Sequence, residues 1–366
     1  MAKLLGIHIP AVLKNHATNG ALDFWQDKLG TTTTVNTATT TTTFYADMFK
    51  AISVGATTKN YSIVRSTDVP SLAQSGFQSV YSSLFTMITG IGSPAAGDRV
   101  TPAIYVMEGY DYEKLHTKTI TFGLWVKASV AGTYSFALGN GAGDRSYVTT
   151  FTVNGGSTWE FKTITITLDQ TGTWLFDNTG QLWIYIGTVA GSTYTTSSLN
   201  QWQAGFFLAA SGATNWQGTN GATLQIAQFS IVEGPLGFGS KGFARKGDSI
   251  QSELSACERY LQSPGKSTDQ TNTAFGSGFA ATTTSSIHYI KFSVPMRAQP
   301  SLIVTPGDWA LQRNGGGTVA VTAMSFNNVG LISARLGANV AAGLTAGEGL
   351  VLITGNTNGM LFDARL

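Results

Sequence analysis

Phe161–Leu168 reads FKTITITL. Phe161, Thr163, Thr165 and Thr167 share one parity, and Ile164, Ile166 and Leu168 the other. A strand points successive side chains to opposite faces, so this alternation predicts a half-buried β-strand with a threonine face outward. Similar β-rich runs precede it at Tyr61–Arg65, Ser83–Ile88, Ala103–Met107, Ile120–Ala128, Gly132–Leu138 and Tyr147–Val153. Others follow at Leu182–Ile186, Ala204–Ala209 and Thr223–Val232. Gly, Asn and Asp separate many of them, and no helix-period pattern intervenes. About ten such strands in one stretch predict a single sandwich of the jelly-roll type. Thr31–Thr43, with ten threonines in thirteen residues, predicts extended backbone. Ser71–Leu84 has room for a helical turn and is left unassigned.

The composition agrees. Of 366 residues, 42% are apolar and 11% aromatic, which excludes a disordered chain, yet only 11% are charged. A net charge of +2 with no basic block gives no electrostatic support for nucleic-acid binding. No run of 18 apolar residues offers a membrane span. Leu4–Leu13 resembles a short signal core, but Pro10 breaks it and no small-residue cleavage site follows, so it reads as mature sequence.

After Thr223–Val232 comes a Gly-rich connector, then Gly247–Gln262, GDSIQSELSACERYLQ. Asp248 reads as an N-cap that Gln251 completes as a capping box. Ile250, Leu254, Cys257 and Leu261 make one apolar stripe, which predicts a helix over 248–262 joining two bodies. Cys257 is the sole cysteine; on that stripe it reads as a buried thiol, and no disulfide or Cys-based zinc site follows. β-rich runs resume at His288–Val294, Ser301–Thr305, Thr318–Ser325, Gly330–Leu336 and Leu350–Thr354. The expected organisation is all-β: an N-terminal arm (1–18) for attachment, a jelly roll (19–234), a connector with the helix (235–265) and a smaller β domain (266–366).

Catalytic signatures are missing. His8, His16, His116 and His288 are scattered, and no nucleophile elbow or P-loop occurs. Glu108, Asp111, Glu113, Asp144, Asp169 and Asp177 could supply an acid pair, but the sequence does not place them together. No cofactor is expected, apart from a structural Ca²⁺ for which Asp144 and Asp177 are the candidates. Trp216, in ATNWQGTN, stands among small polar residues in a loop, as does Tyr194. Exposed rings there would stack on a sugar face, with Asn215 and Gln217 supplying hydrogen bonds; the alternative is that these rings pack under their loops or against a neighbouring subunit.

The order of segments resembles fibre-type virion proteins of phage tails or heads, which join a carbohydrate-binding-like jelly roll to a C-terminal β domain. The resemblance runs from NGALDFWQ (Asn19–Gln26) and TFYADMF (Thr43–Phe49) through VMEGYDYEKL (Val106–Leu115) and KTITFGLWVKA (Lys118–Ala128). It continues through GTYSFAL (Gly132–Leu138), TWEFKTITITL (Thr158–Leu168), GTW (Gly172–Trp174) and QIAQFSIVEG (Gln225–Gly234). Its most specific part is Phe243–Arg245 with SELSACERY (Ser252–Tyr260), then FSVPMRAQP (Phe292–Pro300) and FDARL (Phe362–Leu366). The arm and the threonine run depart from the pattern. The resemblance implies a virion surface protein made in a bacterial cytoplasm: a tail fibre, head fibre or capsid decoration. It implies contact with host-surface glycans, docking on other virion proteins through the arm, a homotrimer and no enzymatic activity. A polysaccharide depolymerase on the same scaffold and a ligand-free capsid cement protein are the alternatives.

Overall fold

A computed structural model describes residues 14–234, 243–247, 249–265, 274–354 and 359–366. Most of the expected arm, up to residue 13, and Asp248 lie outside the described residues. The described chain is all-β. Six antiparallel strands form one sheet, in the order Thr33–Thr37, Lys59–Ser66, Ser82–Thr89, Thr223–Glu233, Thr119–Ala128 and Glu160–Thr167. A second sheet runs Trp202–Ala204, Arg145–Val153, Gly132–Asn140, Gly180–Ile186, Arg99–Glu108, Phe49–Val54 and Thr41–Phe44, with Val189–Ala190 paired to Arg99–Glu108. Their inner faces share a core that includes Phe49, Tyr61, Phe85, Phe122, Phe136, Trp216 and Phe229. In Glu160–Thr167 the predicted alternation holds: Ile164 and Ile166 are buried, and Thr163, Thr165 and Thr167 are exposed. The threonine run gives the strands Thr33–Thr37 and Thr41–Phe44, and Ser71–Leu84 contains a capped helical turn, Leu72–Ser75. Ala204–Ala209 is a correction: only Trp202–Ala204 and Ala209–Ala210 are strands. The chain between them lies over the second sheet, where Phe206, Phe207 and Leu208 pack on Ile104, Val106 and Tyr185.

Six strands of the C-terminal region close a barrel: Ala274–Ala280, Ser285–Lys291, Ser333–Val340, Thr318–Asn327, Trp309–Arg313 and Gly349–Thr354. Ala274–Ala280 and Trp309–Arg313 were not anticipated. The first is Gly- and Ser-rich, and its pairing on both edges rather than its own propensity makes it a strand. Beside the barrel, Leu261–Gln262, Met360–Asp363 and Ser301–Val304 form a three-stranded sheet.

The joint differs from its predicted form. The helix spans Ile250–Glu258, capped by Ser249, whose Oγ accepts from Ser252 N (3.1 Å) while Ser252 Oγ accepts from Ser249 N (3.3 Å). Leu261 is in a strand, not in the helix. Cys257 is buried as expected, but Ile250 is 50% exposed and Leu254 half-buried; Glu253 and Tyr260 face inward in their place. The cause is polar. Glu253 accepts the N–H groups of Asn19 and Gly247, which turns the helix so that its carboxylate, not Ile250, meets the jelly roll. Burial raises the Glu253 carboxyl above its ordinary value, and it raises the Cys257 thiol well above its own, leaving an inert packing residue.

Several of the segments that carried the resemblance, its most specific part among them, meet at this seam. Arg259 donates to Glu108 through Nε (3.1 Å) and Nη2 (2.6 Å), and the Tyr260 hydroxyl donates to the same carboxylate (2.7 Å). Arg245 pairs with Asp23 (2.8 Å), and Phe243 packs edge-on to Phe77. Arg297 donates to the carbonyls of Ala364 (2.6 Å), Arg365 and Asn178. Arg365 pairs with Asp27 (2.9 Å) and Asp363 (2.7 Å) and lies over the Phe44 ring. Asn19 holds the near side, with φ of 55° and hydrogen bonds to Phe24 and Asp47 carbonyls. The next residue is glycine because a Cβ there would lie 2.1 Å from the Phe229 carbonyl oxygen.

Two groups near this seam titrate in opposite senses. Burial raises the Asp47 carboxyl from 3.8 to about 6, against hydrogen bonds from Gln26. Burial, with Lys14 and Lys246 adding to it, lowers His16 from 6.5 to about 4. Between pH 3.8 and 6 the folded state binds the Asp47 proton more tightly, so this term loses stability as pH rises. Between pH 6.5 and 4 folded His16 holds fewer protons than unfolded His16, so its term loses stability as pH falls. Relative to the parent, Asp47→Asn should therefore lose urea stability more steeply on acidification through this window, and His16→Gln less steeply.

Candidate functional site

The residues singled out in the sequence do not form one exposed platform. Trp216 is 1% exposed: it stacks on Tyr134 (5.9 Å between ring centres, 20°), meets Phe85 edge-on, and donates Nε1–H to the Gly187 carbonyl (2.9 Å). Gln217 is also buried and donates to the Val100 carbonyl (3.2 Å). Tyr194 is half-buried against Phe206, with the Arg99 guanidinium over its ring at 4.7 Å. Asn215 donates to the Ile91 and Gly92 carbonyls and alone of the four lines a groove, of about 280 Å³, with Pro94, Thr188, Ser211 and Thr214. The packed alternative therefore describes Trp216 and Gln217, because the loop turns its large side chains inward and seals the end of the sandwich.

A different set of rings lies at the open edge of the sandwich. Tyr147 and Trp202 are cross-strand partners, 5.5 Å apart. Trp202 meets Trp174 edge-on at 5.9 Å, and Trp174 stacks on Tyr112 at 4.7 Å. His116 and Phe176 continue the row, 5.3 Å apart. Tyr147, Trp174 and Trp202 are half-buried, Phe176 is 41% exposed, and Tyr112 is fully buried beneath them. The indole N–H groups are tied to main-chain carbonyls, Trp174 to Thr171 and Trp202 to Thr167, each at 2.9 Å. Ring orientation is thus fixed before any ligand arrives, and little side-chain freedom remains to be lost. Trp174 and Tyr112 fall in segments that carried the resemblance, GTW and VMEGYDYEKL, but nothing in the sequence joined them to Tyr147 or Trp202. Tyr147 and Trp202 meet Trp174 from two strands and Tyr112 from the helical turn Gly109–Tyr112, and no local pattern connects them.

The loop 168–180 that carries Trp174 is held from several sides. Arg145 donates to Asp169 through Nε (2.6 Å) and Nη2 (3.2 Å), and Asp169 also accepts from Thr171. Burial pushes the Asp169 carboxyl up, but the hydrogen bonds from Arg145 and Thr171 outweigh it and hold the group below its ordinary value. Asn140 donates to the Thr173 carbonyl and to Asp144. At the loop's far end Asp177 accepts from Thr179, and Gly109 passes so close that a Cβ would meet the Leu175 and Asp177 carbonyls at 2.4 and 2.7 Å. Asp144 and Asp177, the calcium candidates, are thus hydrogen-bonded within their own loops. Among the described residues no three His, Cys, Asp or Glu side chains group as a metal site would require. No described helix is long and apolar enough to cross a membrane.

No protein-family model matches the chain, and no curated protein matches it in sequence. Solved structures similar to it include the enzymatically active domain of tailspike protein 4 of bacteriophage CBA120, at 11% identity and a TM-score of 0.31, over 60% of this chain and 21% of that one. TmCBM61, solved with β-1,4-galactotriose, is similar at 10% identity and a TM-score of 0.29, over 60% of this chain and 99% of that one. The CBM22-1–GH10 modules of Clostridium thermocellum xylanase 10B are similar at 10% identity and a TM-score of 0.28, over 56% of this chain and 30% of that one.

Proposed function

We propose that the protein is a phage virion surface component, a fibre or capsid decoration, whose jelly roll binds host-surface glycan along the row Tyr147–Trp202–Trp174–Phe176. The carrying observation is the row itself: half-buried indoles with locked orientation at the rim of a rigid β scaffold. Sugar rings present flat C–H faces that pack on such rings, and the surrounding Thr, Asn and Gln groups suit hydroxyl recognition. The virion setting rests on the resemblance, whose most specific segments lie at the seam between the two β bodies. Attachment through the N-terminal arm and trimer formation belong to the same reading.

Binding rather than hydrolysis fits the acids beside the row. A glycosidase needs a carboxyl raised toward neutrality beside an ionised partner. Asp169, at the start of the loop that carries Trp174, is engaged by Arg145 and Thr171, which suits an acid that holds the loop rather than one that donates a proton. On an array of bacterial surface glycans the protein should retain a subset of sugars without releasing oligosaccharide. Trp174→Ala and Trp202→Ala should each weaken retention by about tenfold or more, with a much smaller change in melting temperature. Unchanged retention in both variants would exclude this row. Sedimentation of the full chain tests the trimer, and imaging of labelled particles tests the virion location.

A further inference from the structure

The outer wall of the barrel carries a groove that the jelly-roll reading does not use. It has a volume of about 560 Å³ and is lined by Tyr289, Lys291, Asn328, Ile332, Ser333 and Arg335. Tyr289 and Arg335 are direct cross-strand partners, and Lys291 stands opposite Ser333 on the same face. Tyr289 is 73% exposed and Ile332 61%, far more than packing or solubility calls for. Arg335 is half-buried, and its Nε–H is sheltered from solvent with no hydrogen-bond partner among the described residues. Neither Arg335 nor Lys291 has an acidic partner among the described residues, whereas Arg313 and Arg365 in the same region are both ion-paired.

We infer that this groove binds a carboxylate-bearing saccharide, its carboxylate on Arg335 and Lys291 and its ring on Tyr289. A guanidinium with an unmet N–H beside an ammonium is a site for an anion, and the planar fork suits a carboxylate. The adjoining exposed ring and aliphatic wall supply the apolar contact that a sugar face takes and a bare ion does not. Asn328 and Ser333 stand at the rim for hydroxyl groups. A second copy of the barrel is a poor occupant, because its described acids are already engaged: Glu348 by Arg313, Asp363 by Arg365, and Asp308 is likewise not free. A symmetric barrel contact would bring these cations together without a counter-charge.

The test is calorimetric titration of the full chain with a galacturonate tetramer, a neutral galactose tetramer and inorganic phosphate. The uronate should bind, more weakly as salt rises, while the neutral tetramer and phosphate bind at least about tenfold more weakly. Arg335→Met and Tyr289→Ala should each weaken uronate binding by about tenfold. Both residues are on the outer wall, so melting temperatures should stay near the parent's. Trp174→Ala should leave uronate binding unchanged, which keeps this site separable from the jelly-roll row. The inference fails if uronate does not bind, if phosphate binds as tightly as uronate, or if folded Arg335→Met binds it undiminished. It fails equally if Tyr289→Glu dissociates an oligomer, since the groove would then hold a second copy.

Discussion

Arg259→Ala should destabilise the protein by about 3 kcal/mol, in the lower part of the range for breaking a buried ion pair. The Glu108 side chain is 2% exposed and receives two hydrogen bonds from Arg259 and one from Tyr260. Without the guanidinium, a carboxylate out of reach of bulk water keeps only the phenol. The arginine side chain is itself 37% exposed, so water can enter behind it, which keeps the effect from reaching the top of the range. Glu108→Gln should cost less, since the arginine left behind can turn to solvent while the amide still accepts from Tyr260. Urea unfolding of the two variants and the double variant measures the asymmetry. Equal costs would mean that the carboxylate is better hydrated than its surroundings imply. Because the pair ties the jelly roll to the connector, Arg259→Ala should also separate the two bodies into distinct unfolding steps.

Trp216→Ala should cost about 3–5 kcal/mol, as expected for truncating a large buried aromatic residue. The side chain fills the end of the sandwich between Tyr134 and Phe85, and its N–H satisfies the Gly187 carbonyl. Trp216→Phe should recover part of the packing but leave that carbonyl without its donor. Thermal and urea midpoints check the magnitude. Glycan retention per folded molecule should stay at the parent level, since the ring has no exposed face to offer. A mild stability loss with abolished retention would return Trp216 to the binding surface.

The fold was legible where a residue's own neighbours decide its environment. Thr163–Ile164–Thr165–Ile166 announces a half-buried strand because the pleat alternates faces, and no distant residue needs to be known. Ala274–Ala280 was not legible, since only pairing on both edges makes so glycine-rich a segment a strand. The helix stripe misled for a related reason: Ile250 looked buried by period, but Asn19 and Gly247, remote or outside the stripe, draw Glu253 inward instead. The small polar neighbours of Trp216 left both a sugar-stacking and a packed ring open, since small neighbours are also what lets a loop fold its one large ring under itself. The row around Trp174 was invisible, as Tyr112, Tyr147 and Trp202 come from elements joined only in space.

The strand Met360–Asp363 lies between Leu261–Gln262 and Ser301–Val304, and Arg365 reaches back across 338 positions to Asp27. Vectorial synthesis therefore delivers the Asp27 and Glu108 carboxylates long before Arg365 and Arg259 leave the ribosome, with Asp27 paired until then to Lys28. The jelly roll must tolerate this interval as an acidic-edged intermediate, and seam closure waits on the last element of the described fold. Contacts of such sequence separation close slowly. A chain stopped before residue 360 would keep Ser301–Val304 and Leu261–Gln262 as open edges, which invite pairing with other chains. The seam thus acts as a completeness check: only a chain synthesised through Met360–Asp363 can mask its own sticky strands.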